Sequence, residues 1–154
     1  MSKLKSEIIE YSKKLNSTNL SALRSGNISV RAKEKNVDGF YITPSGMKYS
    51  ALKAKDIVFV SLKGNFDEKK NKPSSEWRFH QEIYVNKKEA EAIVHAHSTC
   101  ATAISTHQKN IPAFHYMVAV AGGEDLKCTK YATFGTELLS KNIIKALKNR
   151  TACL

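Results

Sequence analysis

The chain has 154 residues, which is enough for one domain with a hydrophobic core. Its 42% hydrophobic and 25% charged residues are ordinary for a globular protein, and no apolar run reaches the roughly 20 residues that a membrane helix requires. The net charge of +11 favours an anionic partner, and because no nucleic-acid-binding motif is recognisable we expect a phosphorylated small molecule rather than a nucleic acid.

The cysteines and the N-terminus predict a cytoplasmic protein. Cys100, Cys128 and Cys153 are an odd number at spacings that match neither a disulfide framework nor a zinc site, so we interpret them as reduced thiols. The first residues lead into a segment of mixed charge and not into the apolar core of a signal peptide.

Residues 3–43 predict a helix followed by two strands. Apolar residues at near-helical spacing predict an amphipathic helix over residues 3–15. A Gly26-Asn27 turn precedes a strand at residues 28–31, and a second strand at residues 40–43 stops at Pro44-Ser45-Gly46. Such loops can point backbone N–H groups at an anion, although ordinary hairpin turns explain them at least as well.

The middle of the chain predicts a strand and then a helix. Residues 52–56 read as a short helix or turn, and residues 57–62 as a strand. Ser74-Ser75-Glu76 opens the next helix, where serine can cap the N-terminus and the Glu76 carboxylate favours the helix dipole. Since Glu76 and His80 stand one turn apart, His80 can also simply pair with it.

The most informative short segment is Ile93-Val94-His95-Ala96-His97, which predicts a buried strand. His95 and His97 would lie on the same face, about 6.6 Å apart along the strand. Two imidazoles at this spacing can bind one metal ion, but ordinary core or surface histidines produce the same pattern, and a metal site needs further ligands.

The C-terminal third predicts two helices around an irregular region. Ser98 can cap a helix that runs to about residue 105, residues 112–120 read as mostly strand, and residues 131–135 as a loop. Thr136 opens the last helix, and residues 151–154 read as the start of a buried strand. The apolar residues expected to face inward from the last helix are Leu138, Leu139, Ile143, Ile144 and Leu147.

Six segments together carry a resemblance to a known family. They are residues 26–31 (Gly-Asn-Ile-Ser-Val-Arg), 43–46 (Thr-Pro-Ser-Gly), 73–80 (Pro-Ser-Ser-Glu-Trp-Arg-Phe-His), 94–97 (Val-His-Ala-His), 115–117 (His-Tyr-Met) and 131–136 (Tyr-Ala-Thr-Phe-Gly-Thr). In this order they resemble the class II aldolase/adducin family. The resemblance implies an α/β fold, three-layer α/β/α with a largely antiparallel central sheet, and a homotetramer with sites between subunits. Residues 1–154 would form one such domain, incomplete at its C-terminus.

The resemblance also implies a role for each candidate site residue. Glu76, His95 and His97 match ligands of one Zn²⁺ per subunit, and Glu76 also matches the catalytic base. Tyr116 matches a candidate proton donor near the aldehyde part of the substrate. The positions that match substrate-binding residues, most of them around the phosphate, are Gly26, Asn27, Ser45, Gly46, Ser74, Ser75 and Phe134.

The implied reaction is cleavage of a ketose 1-phosphate, such as L-fuculose 1-phosphate or a deoxy-pentulose phosphate, to dihydroxyacetone phosphate and an aldehyde. A pentulose-phosphate 4-epimerase or a methylthioribulose-phosphate dehydratase of the same family is an alternative, as is a non-catalytic, adducin-like or truncated homologue. Family epimerases carry aspartate at the position of Glu76, which favours the aldolase. The family's third histidine ligand follows the segment that begins at Thr151 and is not among residues 1–154, so the resemblance implies a weaker zinc site.

Overall fold

A four-stranded antiparallel sheet organises residues 2–154, the part of the chain that the computed structural model describes. The strands lie in the order β3-β2-β1-β4, and each pair of neighbours is antiparallel. Their bounds are β1 Asn27–Glu34, β2 Val37–Ile42, β3 Val58–Ser61 and β4 Ala92–His95.

Helices cover both faces of this sheet. The α-helices are α1 Ser2–Ser17, α2 Trp77–Asn86, α3 Thr99–Thr106 and α4 Glu137–Ala146, and the 3₁₀ helices are Tyr49–Ala51, Ala54–Asp56 and Tyr116–Ala121. Neither these nor any other described helix in residues 2–154 is long and apolar enough to cross a membrane.

The two faces of the sheet bury separate clusters of apolar side chains. Ile8 and Leu15 of α1 pack with Ile28 and Tyr41 on one face. On the other face, a second cluster joins strands β2 and β3 to Tyr84 of α2, and α2 in turn packs against α4. Alternate residues of a strand point to opposite faces, so β2 supplies Tyr41 to the first cluster and Phe40 and Ile42 to the second. The predicted three-layer α/β/α fold with an antiparallel sheet is therefore confirmed.

Two predicted strands differ from the structure. The strand with the histidine pair is not buried: β4 lies at the edge of the sheet, where Val94 is 58% exposed, and it ends at His95, so His97 lies just beyond it. Residues 112–120 are not a strand, because the chain forms the 3₁₀ helix Tyr116–Ala121 there. Apolar residues alone predict a strand poorly when no partner strand is available to share the hydrogen bonds.

Three smaller predictions at element ends were also wrong. Helix α2 begins at Trp77 with Glu76 as the N-cap residue and without a side-chain cap, although the Ser74 hydroxyl still accepts the Glu76 N–H. Leu138 of α4 is exposed and does not face inward. Residues 151–154 form no assigned strand, although backbone hydrogen bonds join Leu154 to residues 127 and 129. The Thr136 cap of α4 is confirmed, since its hydroxyl accepts the Leu139 N–H.

Candidate active site

Three elements that are distant in the sequence bring polar side chains to one end of the sheet. Asn27 is the first residue of β1 and pairs in register with His95 at the end of β4. Glu76 is the N-cap residue of α2, and its side chain reaches Asn27 of β1. Gly26, which precedes Asn27, packs so tightly that a Cβ atom there would lie 2.7 Å from the His95 carbonyl oxygen. A glycine is therefore required where the loop meets β4.

The Glu76 carboxylate lies between Asn27 and His95. Its Oε2 accepts a hydrogen bond from Nδ2 of Asn27 at 2.8 Å and lies 3.3 Å from Nε2 of His95. The side chain is 14% exposed, so the carboxylate is largely removed from water but still accessible to a ligand. A carboxylate with one fixed donor and one accessible oxygen is suited to exchanging a proton.

His95 and His97 meet through their Nε2 atoms, which are 2.8 Å apart. The His97 N–H donates to the Leu20 carbonyl and to the Ser21 hydroxyl, so the residue after the strand is held by the loop that follows α1. Burial lowers the pKa of His95, and the nearby His97 acts in the same direction, while the Glu76 charge opposes both. A neutral imidazole is the form that binds metal ions.

The donor set of Glu76, His95 and His97 fits a zinc ion. Around a tetrahedral zinc with bonds of about 2.0–2.1 Å, donor atoms stand about 3.3 Å apart. The separation between Glu76 Oε2 and His95 Nε2 already has this value, whereas the two Nε2 atoms at 2.8 Å would have to move apart by about 0.5 Å. Within residues 2–154, no group of three or more His, Cys, Asp or Glu side chains is already arranged to hold a metal ion.

A cavity of about 90 Å³ lies beside Glu76 and is lined by three loops of small residues. Within residues 2–154, the N–H groups of Gly46 and Ser75 and the hydroxyls of Ser45 and Ser75 have no hydrogen-bond partner, so they are available to a ligand. Gly46 has a φ of 75°, which favours glycine. The N–H groups of Ser45 and Ser74 are used elsewhere, donating to the carbonyls of Lys72 and Thr43 at 3.0 Å.

A second cavity, of about 380 Å³, lies on the other side of Glu76 and reaches His95 and His97. Glu76 lines both cavities, while the unpaired N–H and hydroxyl groups lie only in the smaller one. The arrangement can therefore hold an anionic group on one side of the carboxylate and a reacting polar group on the other.

The structure brings together most, but not all, of the predicted site residues. Those that line one or both cavities are Gly26, Asn27, Ser45, Gly46, Ser74, Ser75, Glu76, His95 and His97. Tyr116 and Phe134 line neither cavity and are 77% and 67% exposed. The loop of Phe134 is nevertheless close, since the next residue, Gly135, packs against the Ser75 carbonyl.

Sequence reasoning missed two functional candidates, Arg24 and His80. Arg24 lines the smaller cavity and its guanidinium donates to the Gly46 carbonyl, which places a cation beside the unpaired N–H groups. A basic residue three positions before Asn27 in the same loop was the available signal. The predicted local pairing of His80 with Glu76 was wrong, because His80 is fully buried against Asn27 and Ser29 of β1.

Comparison with known proteins gives consistent matches over nearly the whole chain. The model of a family described as the class II aldolase and adducin N-terminal domain matches residues 6–154. The L-fuculose phosphate aldolase of Escherichia coli is 44% identical over 152 residues, which is 99% of this chain and 68% of that protein. The 5-methylthioribulose-1-phosphate/5-deoxyribulose-1-phosphate aldolase of Rhodospirillum rubrum is 42% identical over 151 residues, covering 98% of this chain and 66% of that protein.

A solved structure agrees with these sequence matches. An L-fuculose 1-phosphate aldolase superposes with a TM-score of 0.89 and 41% identity, covering 97% of this chain and 69% of that one. The chain thus spans about two thirds of the length of the relatives it matches.

Proposed function

This chain belongs to the class II aldolase and adducin family, and we propose that it is a zinc-dependent aldolase that cleaves a ketose 1-phosphate into dihydroxyacetone phosphate and an aldehyde. The single observation that carries the proposal is the position of Glu76, a largely buried carboxylate between an anion-sized cavity and two histidines. A substrate phosphate in the smaller cavity would leave its carbon chain facing Glu76.

The phosphate-binding role follows from unpaired groups and charge. The N–H groups of Gly46 and Ser75 and the hydroxyls of Ser45 and Ser75 offer donors to phosphate oxygens. Arg24 supplies a positive charge in the same wall and is suited to bidentate binding of phosphate. Ser74, buried beneath them, holds the loop through its N–H bond to Thr43 and leaves the neighbouring Ser75 exposed to the ligand.

Glu76 is the residue that exchanges a proton with the substrate carbon. In cleavage, the C4 hydroxyl loses its proton, the C3–C4 bond breaks, and its electrons pass to C3, giving an aldehyde and the enediolate of dihydroxyacetone phosphate. Glu76, which takes up a proton from solvent before cleavage, then delivers that proton from Oε1 to C3 and is left ionised, and in the reverse direction it removes the proton from C3. Asn27 keeps Oε2 occupied, which leaves Oε1 for this proton.

The metal expected from the family fits the donors on this chain. His95, His97 and Glu76 would hold zinc, and Lewis-acid stabilisation of negative charge on the substrate oxygens is the chemistry that it supplies when bound. Neutral imidazoles are required for this role, and the lowered pKa of His95, caused mainly by burial, keeps that ring neutral near pH 7.

Tyr116 and Phe134 would act from a neighbouring copy of the chain in a homotetramer. Their rings are exposed and lie in a region that also exposes other large apolar side chains: Phe114, Met117, Val120, Tyr131 and Leu138. Apolar exposure of this kind is typical of a surface that another subunit covers. In such an assembly Tyr116 would take the proton of the C4 hydroxyl in cleavage and pass it to solvent, and would return a proton to that oxygen in the reverse direction. Free thiols at Cys100, Cys128 and Cys153 support a cytoplasmic location.

Product analysis tests the proposal. The purified protein is loaded with zinc and incubated with L-fuculose 1-phosphate and with 5-deoxyribulose 1-phosphate, the substrates named for its relatives. Release of dihydroxyacetone phosphate, measured by its reduction with a coupling dehydrogenase, is the expected result. If neither sugar releases it while ribulose 5-phosphate is converted to its 4-epimer, the epimerase replaces the aldolase.

Metal analysis tests the cofactor. We expect about one zinc per chain in the wild type and almost none in the double variant His95→Ala/His97→Ala. His107→Ala serves as the control, because that histidine lies at the end of α3, outside both cavities. Equal zinc content in the wild type and the double variant would contradict the assignment.

A further inference from the structure

A continuous chain of hydrogen bonds runs through the protein interior behind Glu76. Tyr84 and Ser29 are joined through their hydroxyls at 2.8 Å, and the Ser29 hydroxyl lies 2.7 Å from Nδ1 of His80. Nε2 of His80 contacts Oδ1 of Asn27, and Nδ2 of Asn27 lies 2.8 Å from Oε2 of Glu76. His80, Ser29 and Tyr84 are buried, so water does not compete for these contacts.

The direction of every bond in this chain is determined by the carboxylate at its end. An ionised Glu76 can only accept, so the Asn27 amide must present its NH₂ group to it and its oxygen to His80. Nε2 of His80 must therefore carry the proton, which makes Nδ1 an acceptor for the Ser29 hydroxyl. Ser29 Oγ, which donates its own proton to His80, then accepts a hydrogen bond from the Tyr84 hydroxyl.

We propose that His80 is a positioning residue of the reaction: with Ser29 and Tyr84 it fixes the orientation of the Asn27 amide, and through it holds Glu76 Oε2 so that Oε1 exchanges the proton. This inference rests on the proposed aldolase function. His80 touches neither cavity and no reacting atom, so it acts only through Asn27.

The Asn27 amide would lose its preferred orientation without the His80 donor. Asn27 is almost fully buried, and an unpaired amide oxygen in such a place is unfavourable. A rotation of the amide by 180° would place its oxygen beside the Glu76 carboxylate, where two acceptors face one another. In both cases Glu76 Oε2 loses the hydrogen bond from Asn27 Nδ2. Within residues 2–154, this is the only hydrogen bond that a side chain donates to Oε2.

The surroundings of His80 keep its ring in one protonation state. The ring of Phe79 stacks on it with centroids 4.5 Å apart, and the same Phe79 ring meets His95 edge-on at 5.5 Å. Burial, and to a smaller extent the nearby His95, lower the pKa of His80 well below its ordinary value. The neutral ring therefore presents one donor and one acceptor, which the chain requires.

Two substitutions of His80 distinguish the effect of losing its N–H donor from the effect of losing the volume of the ring. His80→Leu fills part of the space without a donor, and we expect it to lower kcat about 10- to 100-fold, the usual range for a supporting contact, with KM nearly unchanged. His80→Gln can donate from its amide nitrogen to Asn27 and should recover most of kcat. Equal kcat values in the two variants would overturn the inference.

A core variant and a spectroscopic measurement guard against a purely structural explanation. Val60→Ala removes volume from a fully buried position remote from both cavities and should lower Tm while leaving kcat unchanged.

The ¹⁵N shifts of the His80 ring in the wild type should show the proton on Nε2, and Ser29→Ala should weaken this preference. A proton on Nδ1 in the wild type would overturn the hydrogen-bond chain whether or not the protein is an aldolase. Absence of wild-type cleavage with the proton on Nε2 would instead refute only the proposed function.

Discussion

The buried end of the site, around Asn27, Glu76 and His80, and the exposed segment of residues 107–135 differ in what holds their side chains in place. In the buried end, each of these polar side chains is hydrogen-bonded to a side chain of another element. Asn27 of β1 contacts both Glu76, the N-cap residue of α2, and His80 within α2. These positions follow from the packing of the chain on itself.

The exposed segment has a backbone that is anchored but aromatic side chains that are not. Asp125 accepts hydrogen bonds from Lys127, Arg150 and Asn110, and these bonds, that of Lys127 most of all, lower its pKa. Residues 111 and 126 form an isolated bridge. Tyr116 and Tyr131, in contrast, extend into solvent. Contacts within the chain therefore hold the carboxylate end of the site in place, whereas the exposed rings of Tyr116 and Tyr131 have few contacts that hold them.

The largest effect is expected from Glu76→Gln at the buried end. The amide retains the size of the side chain and can accept from Asn27, but it is not a base, so activity should fall by about 10²–10⁴-fold. Folding should change little, since a charge at a helix N-terminus contributes about 0.3–1 kcal/mol. Cleavage rates and chemical denaturation of the variant measure the two effects.

Glu82→Gln is the matched control, because Glu82 lies on α2, accepts a hydrogen bond from Asn86 with its side chain and lines neither cavity. A loss of stability in Glu76→Gln that accounts for all of its lost activity would show that the carboxylate serves the fold rather than the reaction.

Phosphate binding is the next effect in size. Dihydroxyacetone phosphate at 100 times its Kd should stabilise the protein by about 2.7 kcal/mol, whereas unphosphorylated dihydroxyacetone should not. Ser75→Asp places a negative charge in the smaller cavity and should abolish this response, while Ser50→Asp, at an exposed residue that does not line the cavity, should not. Thermal shift measures all four conditions, and an equal response to both ligands would argue against a phosphate site.

The pH dependence of stability should reveal His80. Its pKa is lowered by burial in the folded state, so below the ordinary value of about 6.5 the unfolded state binds more protons than the folded state. Stability is therefore full above pH 6.5 and declines as pH falls, with a slope of up to about 1.4 kcal/mol per pH unit from this group.

Denaturation of the wild type and of His80→Gln between pH 7 and pH 5 isolates the contribution, because His95, which shifts in the same direction, is common to both. Parallel stability curves would show that His80 does not titrate differently on folding.

The smallest effect on stability is expected in the exposed segment. Val120→Glu should change the free energy of unfolding by no more than about 0.5 kcal/mol, because the side chain has few contacts within its own chain. It should nevertheless lower the molecular mass measured by light scattering, since a charge opposes burial between subunits. Val37→Glu, an exposed valine on β2, is the control, and an unchanged mass in Val120→Glu would remove this surface from the assembly.

Much of the local structure could be predicted from the sequence, and the errors have a common cause. The amphipathic α1 and the Thr136 cap of α4 follow from contacts within a few residues, and both predictions were confirmed. Residues 112–120 and the burial of β4 were predicted wrongly, because both depend on whether a neighbouring strand is present, which no local pattern records.

The sequence by itself determined which donors are available and how two of them are spaced: a histidine at each of positions 95 and 97, and small residues in the loops around Gly46 and Ser75. Only the tertiary structure decided that Asn27 meets Glu76 and His80, across 49 and 53 residues of sequence, and that Arg24 lines the same cavity. The physical reason is that strand order and register set these contacts, and both result from the burial of whole faces of the sheet rather than from any short segment.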